Sequence, residues 1–150
     1  MNNLERNKIM ALPKAKGNLF AKTTRWPTSD PRNTIDTGDV YFIDDVVVGN
    51  YQVGGRVNDD QSDYFTSVTF EIPRDTQSGV YDIKPGVIEA RYGIVLGEDS
   101  ELYRAVSGKI KLTVNSEGTH FEAEDFHFVA RIGSAGKTAE LFLGNFNILF

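Results

Sequence analysis

From about residue 38 onward the chain alternates apolar and polar residues in short runs. Glycine, asparagine and aspartate break the runs at spacings of roughly eight to twelve, the pattern of successive β-strands. The clearest run is Gly108 to Val114, with Ile110, Leu112 and Val114 facing one way and Lys109, Lys111 and Thr113 the other. Tyr64 to Ile72 sets Val68, Phe70 and Ile72 against Ser67, Thr69 and Glu71, and Pro73 ends it because proline has no N–H to give a ladder. Val87 to Leu96 repeats the alternation through Ile88, Ala90, Tyr92, Ile94 and Leu96. The segment Gly97 to Ser100 then turns the chain into a further strand, Leu102 to Val106. Strands of this kind keep one face for a core and one for water, as antiparallel sheets do.

Val40 to Val48 and Tyr51 to Val57 are separated only by Gly49 and Asn50, so a two-residue hairpin with Val48 opposite Tyr51 is expected. Phe121 and Ala123 are odd-numbered while Phe126, Phe128 and Ala130 are even. One extra residue near Glu124 and Asp125, a β-bulge, keeps all five on the core face. At the C-terminal end Phe142, Phe146, Ile148 and Phe150 share a face, which places the last strand inside the sheet. Lys16 to Thr23 and Gly79 to Ile83 bring the expected total to about nine or ten strands. Thr24 to Thr37 carries two prolines and several turn formers and reads as one long loop. Residues 1–15 read as a loosely ordered arm. The expected fold is a single all-β domain over residues 1–150, an antiparallel β-sandwich or flattened barrel, with a lipocalin-like barrel around a cavity as the alternative.

Composition narrows the chemistry more than the fold. A chain of 150 residues is long enough for one core, and ten phenylalanines would fill a solid interior or line a hollow one. With no cysteine there is neither a disulfide framework nor a thiolate ligand or nucleophile, which suits a reducing compartment. The 21 acidic residues outnumber 16 basic ones, and a net charge of −5 argues against nucleic acid as a partner. Only the first 32 residues carry a basic excess. The N-terminus lacks the apolar run of a signal peptide, and no segment nears the ~20 apolar residues of a spanning helix. The cytoplasm is therefore the expected location, with secretion lacking a cleaved signal as the alternative.

Few residues offer chemistry. Arg25 and Trp26, the single tryptophan, sit in the long loop. They are candidate ligand-binding anchors, on a sugar or in a protein partner, and Trp26 reads equally as a lid over one end of the core. Asp59, Asp60 and Asp63, with Asn58, offer the oxygen ligands calcium needs, but without the glycine and glutamate of an EF-hand loop, and a plain solvated turn is the simpler reading. His120 and His127 flank the proposed bulge, share a face at a distance and have no third histidine or cysteine to build a zinc site. Asp44 and Asp45 interrupt an apolar strand, so one is expected at an edge, a bulge or a polar cavity. Glu89, Glu101, Glu122, Glu124 and Asp125 read as solvent-facing strand residues rather than a glycosidase pair. Gly133 to Thr138 resembles a phosphate loop but has the wrong glycine spacing and no following helix, so no cofactor is expected.

The succession Gly79-Val80-Tyr81, Tyr92, Ser107-Gly108-Lys109-Ile110-Lys111-Leu112-Thr113, Phe126-x-Phe128 and Gly144-x-Phe146 resembles uncharacterised bacterial all-β domains, many of them predicted surface lipoproteins. The resemblance spans residues 68–150, lacks the lipoprotein signal and implies a β-sandwich or flattened barrel without transferring an active site. The expected function is a non-catalytic binding or interaction module for an unknown protein or small molecule. The alternatives are a carboxylate-based enzyme such as a glycoside hydrolase, and a secreted effector or toxin that assembles amphipathic strands.

Overall fold

The expected strands form one sheet, except that Leu102 to Val106 and Gly108 to Val114, expected as two strands, are one continuous strand from Asp99 to Val114. A computed structural model describes residues 3–59, 61–133 and 136–150. After a short helix α1 (Asn3–Met10) come β1 (Lys16–Thr23), a single 3-10 turn (Pro31–Asn33), β2 (Thr34–Thr37), β3 (Val40–Asp45), β4 (Asn50–Asp59) and β5 (Tyr64–Pro73). They are followed by β6 (Gly79–Asp82), β7 (Glu89–Leu96), β8 (Asp99–Val114), β9 (His120–Arg131) and β10 (Thr138–Leu149). Every strand pairing is antiparallel. The order around the sheet is β2-β1-β10-β9-β8-β7-β5-β4-β3, with β6 beside the second half of β8.

The two ends of that order, β2 and β3, are consecutive in the chain, so the sheet curls almost shut into a barrel. Backbone bonds from Ala15 N to Val40 O and from Phe42 N to Pro13 O tie the segment just before β1 to β3 and complete the seam. Six of the eight steps are between strands consecutive in the chain, which short antiparallel connections produce; the exceptions are β1–β10 and β7–β5. A barrel this narrow has an interior that side chains can fill. Four phenylalanines fill its middle, with Phe70 lying 4.9 Å from Phe126, 6.1 Å from Phe128 and 5.2 Å from Phe146 between ring centroids. Where the lipocalin-like alternative would hold a cavity, this interior holds interlocking rings.

Several local expectations hold. The bulge lies at Glu124: Lys111 faces Asp125 and Leu112 faces Ala123, leaving Glu124 unpaired and Phe121, Ala123, Phe126, Phe128 and Ala130 all buried. The turn expected over Gly97 to Ser100 is there but shorter: Gly97 and Glu98 alone link Leu96 to Asp99, and Asp99 and Ser100 already pair in β8. Close approach also explains Gly144, where a Cβ would stand 2.3 Å from the Phe126 ring.

Others change. The β3–β4 hairpin exists, but its loop is Val46–Gly49 rather than Gly49-Asn50. Asp45 faces Asn50 and Tyr51 faces Asp44, and Gly49 takes the positive φ of 79° that closes the turn. The Asp45 carboxylate accepts from Val48 N and caps this turn, so Val46, Val47 and Val48 stand in solvent despite their strand-like character. Asp44, one residue before the end of β3, is exposed and paired with Arg74 at 2.8 Å. The long loop stops earlier than expected, because residues 34–37 form β2 and pair with β1. Leu143, at φ 51°, shifts the register of β10, so Leu141 turns inward and Phe142 outward. Phe146 and Ile148 are buried, while Phe150 is 62% exposed and stacks on Phe42.

The N-terminal arm contains α1, which lies on the outer wall of the barrel. Ile9 packs on the outward-facing Phe65 and Val95, and the buried Arg56 guanidinium donates to the Ile9 carbonyl. Arg56 is also 3.1 Å from the Asp39 carboxylate, so its charge is balanced. This second, small core explains why β5 is buried on both faces.

Candidate functional site at the barrel mouth

One open end of the barrel is crossed by the loop after β1, and this loop carries Arg25 and Trp26. Alternation places Tyr64 of β5, Tyr92 of β7 and Tyr103 of β8 on the inward face near that end. Tyr92 and Tyr103 stack with centroids 5.7 Å apart, and Trp26 meets Tyr64 edge-on at 6.3 Å. The Arg25 guanidinium lies 4.3 Å and the Arg32 guanidinium 3.7 Å from the indole ring centre, the geometry of a cation–π contact. Each arginine has its own carboxylate. Arg25 donates twice to Glu101, at 2.7 and 2.8 Å, and Arg32 donates to Asp30 at 2.7 Å. Trp26 is thus half-buried against the core and fixed from above, which is the lid geometry.

Glu101 was expected in solvent; it points into the mouth instead. Its register partner is Ile94, and it stands two residues before Tyr103 on the same face, so the inward pair Tyr103 and Ala105 was the available signal. Tyr103 donates to Glu101 Oε1 at 2.6 Å, completing a Tyr–Glu–Arg chain. The other proposed carboxylates lie outside the mouth: Glu124 pairs with Lys111 at 3.0 Å, and Glu89 and Asp125 are exposed on the outer wall.

The mouth's electrostatics are one-sided. The Arg25 guanidinium holds the Glu101 carboxyl down to about 2 against an ordinary value of 4.5, with further help from the Tyr103 hydroxyl. Arg32 likewise lowers Asp30. Burial pushes Tyr103 up to about 12 and also raises Tyr64 and Tyr92. The shifts favour ionised carboxylates and protonated phenols near neutral pH, so Glu101 and Asp30 accept hydrogen bonds and the tyrosine hydroxyls donate them.

Under the lid, three polar groups lack good partners. The Trp26 indole N–H and the Tyr64 and Tyr92 hydroxyls are buried and make no hydrogen bond of good geometry, although the indole approaches both phenols and the Thr66 and Thr23 side chains approach Tyr64 and Tyr92 respectively, so the three groups are poorly satisfied rather than isolated. Fully unpaired, buried groups of this type cost about 1–3 kcal/mol each. Their gathering at one place is the strongest mark of a site in the interior.

Two of the three calcium candidates lie among the described residues. Asp59 accepts from Gln61 N and from the Ser62 hydroxyl at 2.6 Å, which makes it a turn anchor, while Asp63 bends the chain at φ 53° and Asp60 lies outside the described residues. Among the described residues no three His, Cys, Asp or Glu side chains form a metal-holding group. His120 bonds Asn147 at 2.5 Å, and His127 is exposed. Ile132 N to Lys137 O closes the β9–β10 hairpin, the part of Gly133 to Thr138 that is described. Among the described residues no helix is long and apolar enough to cross a membrane. No protein-family model, no curated protein and no solved structure matches the chain.

Proposed function

We propose that this chain is a non-catalytic binding module whose ligand is a small, uncharged, oxygen-rich molecule of the sugar or polyol class, bound at the barrel mouth around Trp26. The observation that carries this reading is the convergence of the Trp26 N–H with the Tyr64 and Tyr92 hydroxyls, three poorly satisfied groups among aromatic rings. The ligand is taken to be neutral because both mouth arginines are already matched by carboxylates. The enzyme reading is disfavoured by the direction of the pKa shifts. A glycosidase acid needs a carboxyl raised towards neutrality, and both carboxyls here are pushed the other way.

The test is a titration of a sugar and polyol panel against Trp26 fluorescence, in the native chain and in Tyr92→Phe. Because the Tyr92 hydroxyl is poorly satisfied, Tyr92→Phe should fold with equal or slightly higher stability. It should also bind at least several-fold more weakly. A panel that leaves the fluorescence unchanged in the native chain contradicts the reading. So does equal binding by the phenylalanine variant.

A further inference from the structure

A second site lies on the outside of the barrel, away from the mouth. Beyond the patch that Ile9 covers, the chain leaving α1 runs along residues 11–13 and leaves a groove of about 710 Å³ against the wall formed by β3, β4, β5, β7 and β8. Its size falls in the usual range for a small-molecule site. The small outward side chains of Ser67 and Thr69 leave the wall low, and the longer Ile9, Leu12, Ile43 and Leu102 stand around it as apolar sides.

The charged residues lining the groove are Glu5, Lys8, Asp45, Arg91 and Arg104, and the end that holds the two arginines is basic for a reason rooted in register. Arg91 of β7 lies directly opposite Arg104 of β8, and Arg104 lies directly opposite Arg131 of β9, so three arginines stand abreast on the outer face. Like charges directly opposite one another on a sheet are destabilising unless something neutralises them. Arg91 has Glu71 at 2.5 Å. Among the described residues Arg104 and Arg131 meet no carboxylate. The other basic side chains on the outer face of β8 are matched: Lys109 has Asp82 at 2.5 Å and Lys111 has Glu124. In a chain of net charge −5, this row is a local exception.

We infer that the groove beside α1 binds a single-chain anionic amphiphile, an aliphatic carboxylate whose head meets Arg104 and whose tail lies between Leu12, Ile43 and Leu102. The apolar sides call for a hydrocarbon and the unmatched guanidinium calls for an anion, and a planar carboxylate suits an arginine fork. This inference is independent of the ligand at the mouth.

The experiment is isothermal titration of the full chain with sodium decanoate below its micelle concentration, beside decyltrimethylammonium, acetate and inorganic phosphate. Arg104→Ala serves as the variant, and because Arg104 is exposed and flanked by like charges its melting temperature should equal or slightly exceed the native one. Decanoate is expected to bind one to one and to weaken as salt is raised. Loss of the guanidinium is expected to reduce affinity about tenfold or more, the scale of a charge-assisted hydrogen bond. Acetate, phosphate and the cationic amphiphile are expected to bind far more weakly or not at all. The inference is overturned if decanoate does not bind, if Arg104→Ala binds it equally, or if phosphate binds as tightly, which would make the arginines a simple anion site. Binding to anionic phospholipid vesicles without binding of monomeric decanoate would overturn it in favour of a membrane surface.

Discussion

Replacing Glu101 with glutamine removes the charge that fixes Arg25 at the mouth while keeping the side chain's size. A carboxyl held at about 2 in the folded chain and 4.5 when free corresponds to about 3.4 kcal/mol of interaction at neutral pH. Both side chains keep about a fifth to a quarter of their surface in water, 21% for Glu101 and 24% for Arg25, and glutamine can still accept one bond from the guanidinium. Screening and that residual bond reduce the expected loss to about 2 kcal/mol. The sign follows from the depressed value. Above pH 5 the ion pair contributes in full; as pH falls from about 5 to 2 the unfolded chain takes up the proton first and the contribution disappears. Urea unfolding of both proteins between pH 7 and pH 2.5 should therefore show a gap of about 2 kcal/mol at pH 7 that narrows steadily with acid. A gap below 0.5 kcal/mol at pH 7, or one that does not change with pH, would refute the account of the Arg25–Glu101 pair.

Three further perturbations probe the fold. Gly144→Ala places a methyl group 2.3 Å from the Phe126 ring in a filled core, so thermal melts should show a loss of about 1–3 kcal/mol; an unchanged melting temperature would mean the rings are not locked. Deleting residues 145–150 removes the buried Phe146 and Ile148, about 5–10 kcal/mol on the truncation scale and comparable to a whole domain's stability, so the circular dichroism of a folded β-protein should be lost. Val47→Asp should shift stability by less than about 0.5 kcal/mol, because Val47 is 97% exposed in a turn; a loss above 1 kcal/mol would return it to a strand.

The alternation of Val68, Phe70 and Ile72 was legible in the sequence because one face of a strand meets the core at every second residue. The parity change between Ala123 and Phe126 was legible for the same reason, and it located the bulge. Elements held by distant partners were not legible. Helix α1 has little apolar periodicity of its own and is fastened by Arg56, 47 positions from Ile9. Glu101 reads as a solvent residue until Arg25, 76 positions earlier, is brought beside it. Val46 to Val48 look like strand by composition, but the cap from Asp45 ends the ladder before them. Arg25 and Trp26 were recognisable as unusual residues in a loop. The tyrosines beneath them were not, since inward tyrosines on three strands converge only once the barrel closes. The row Arg91, Arg104 and Arg131 exists only through the register of β7, β8 and β9.

The claim that ligand binds at Trp26 can be read at one atom. Since the chain has a single tryptophan, a nitrogen–proton correlation spectrum contains one indole N–H peak, and it reports the group proposed to bond the ligand. Titrating the sugar or polyol that performs best in the fluorescence panel should move that peak saturably, with the same midpoint as the fluorescence change. An indole peak that stays in place while the ligand shifts backbone signals elsewhere would contradict the account.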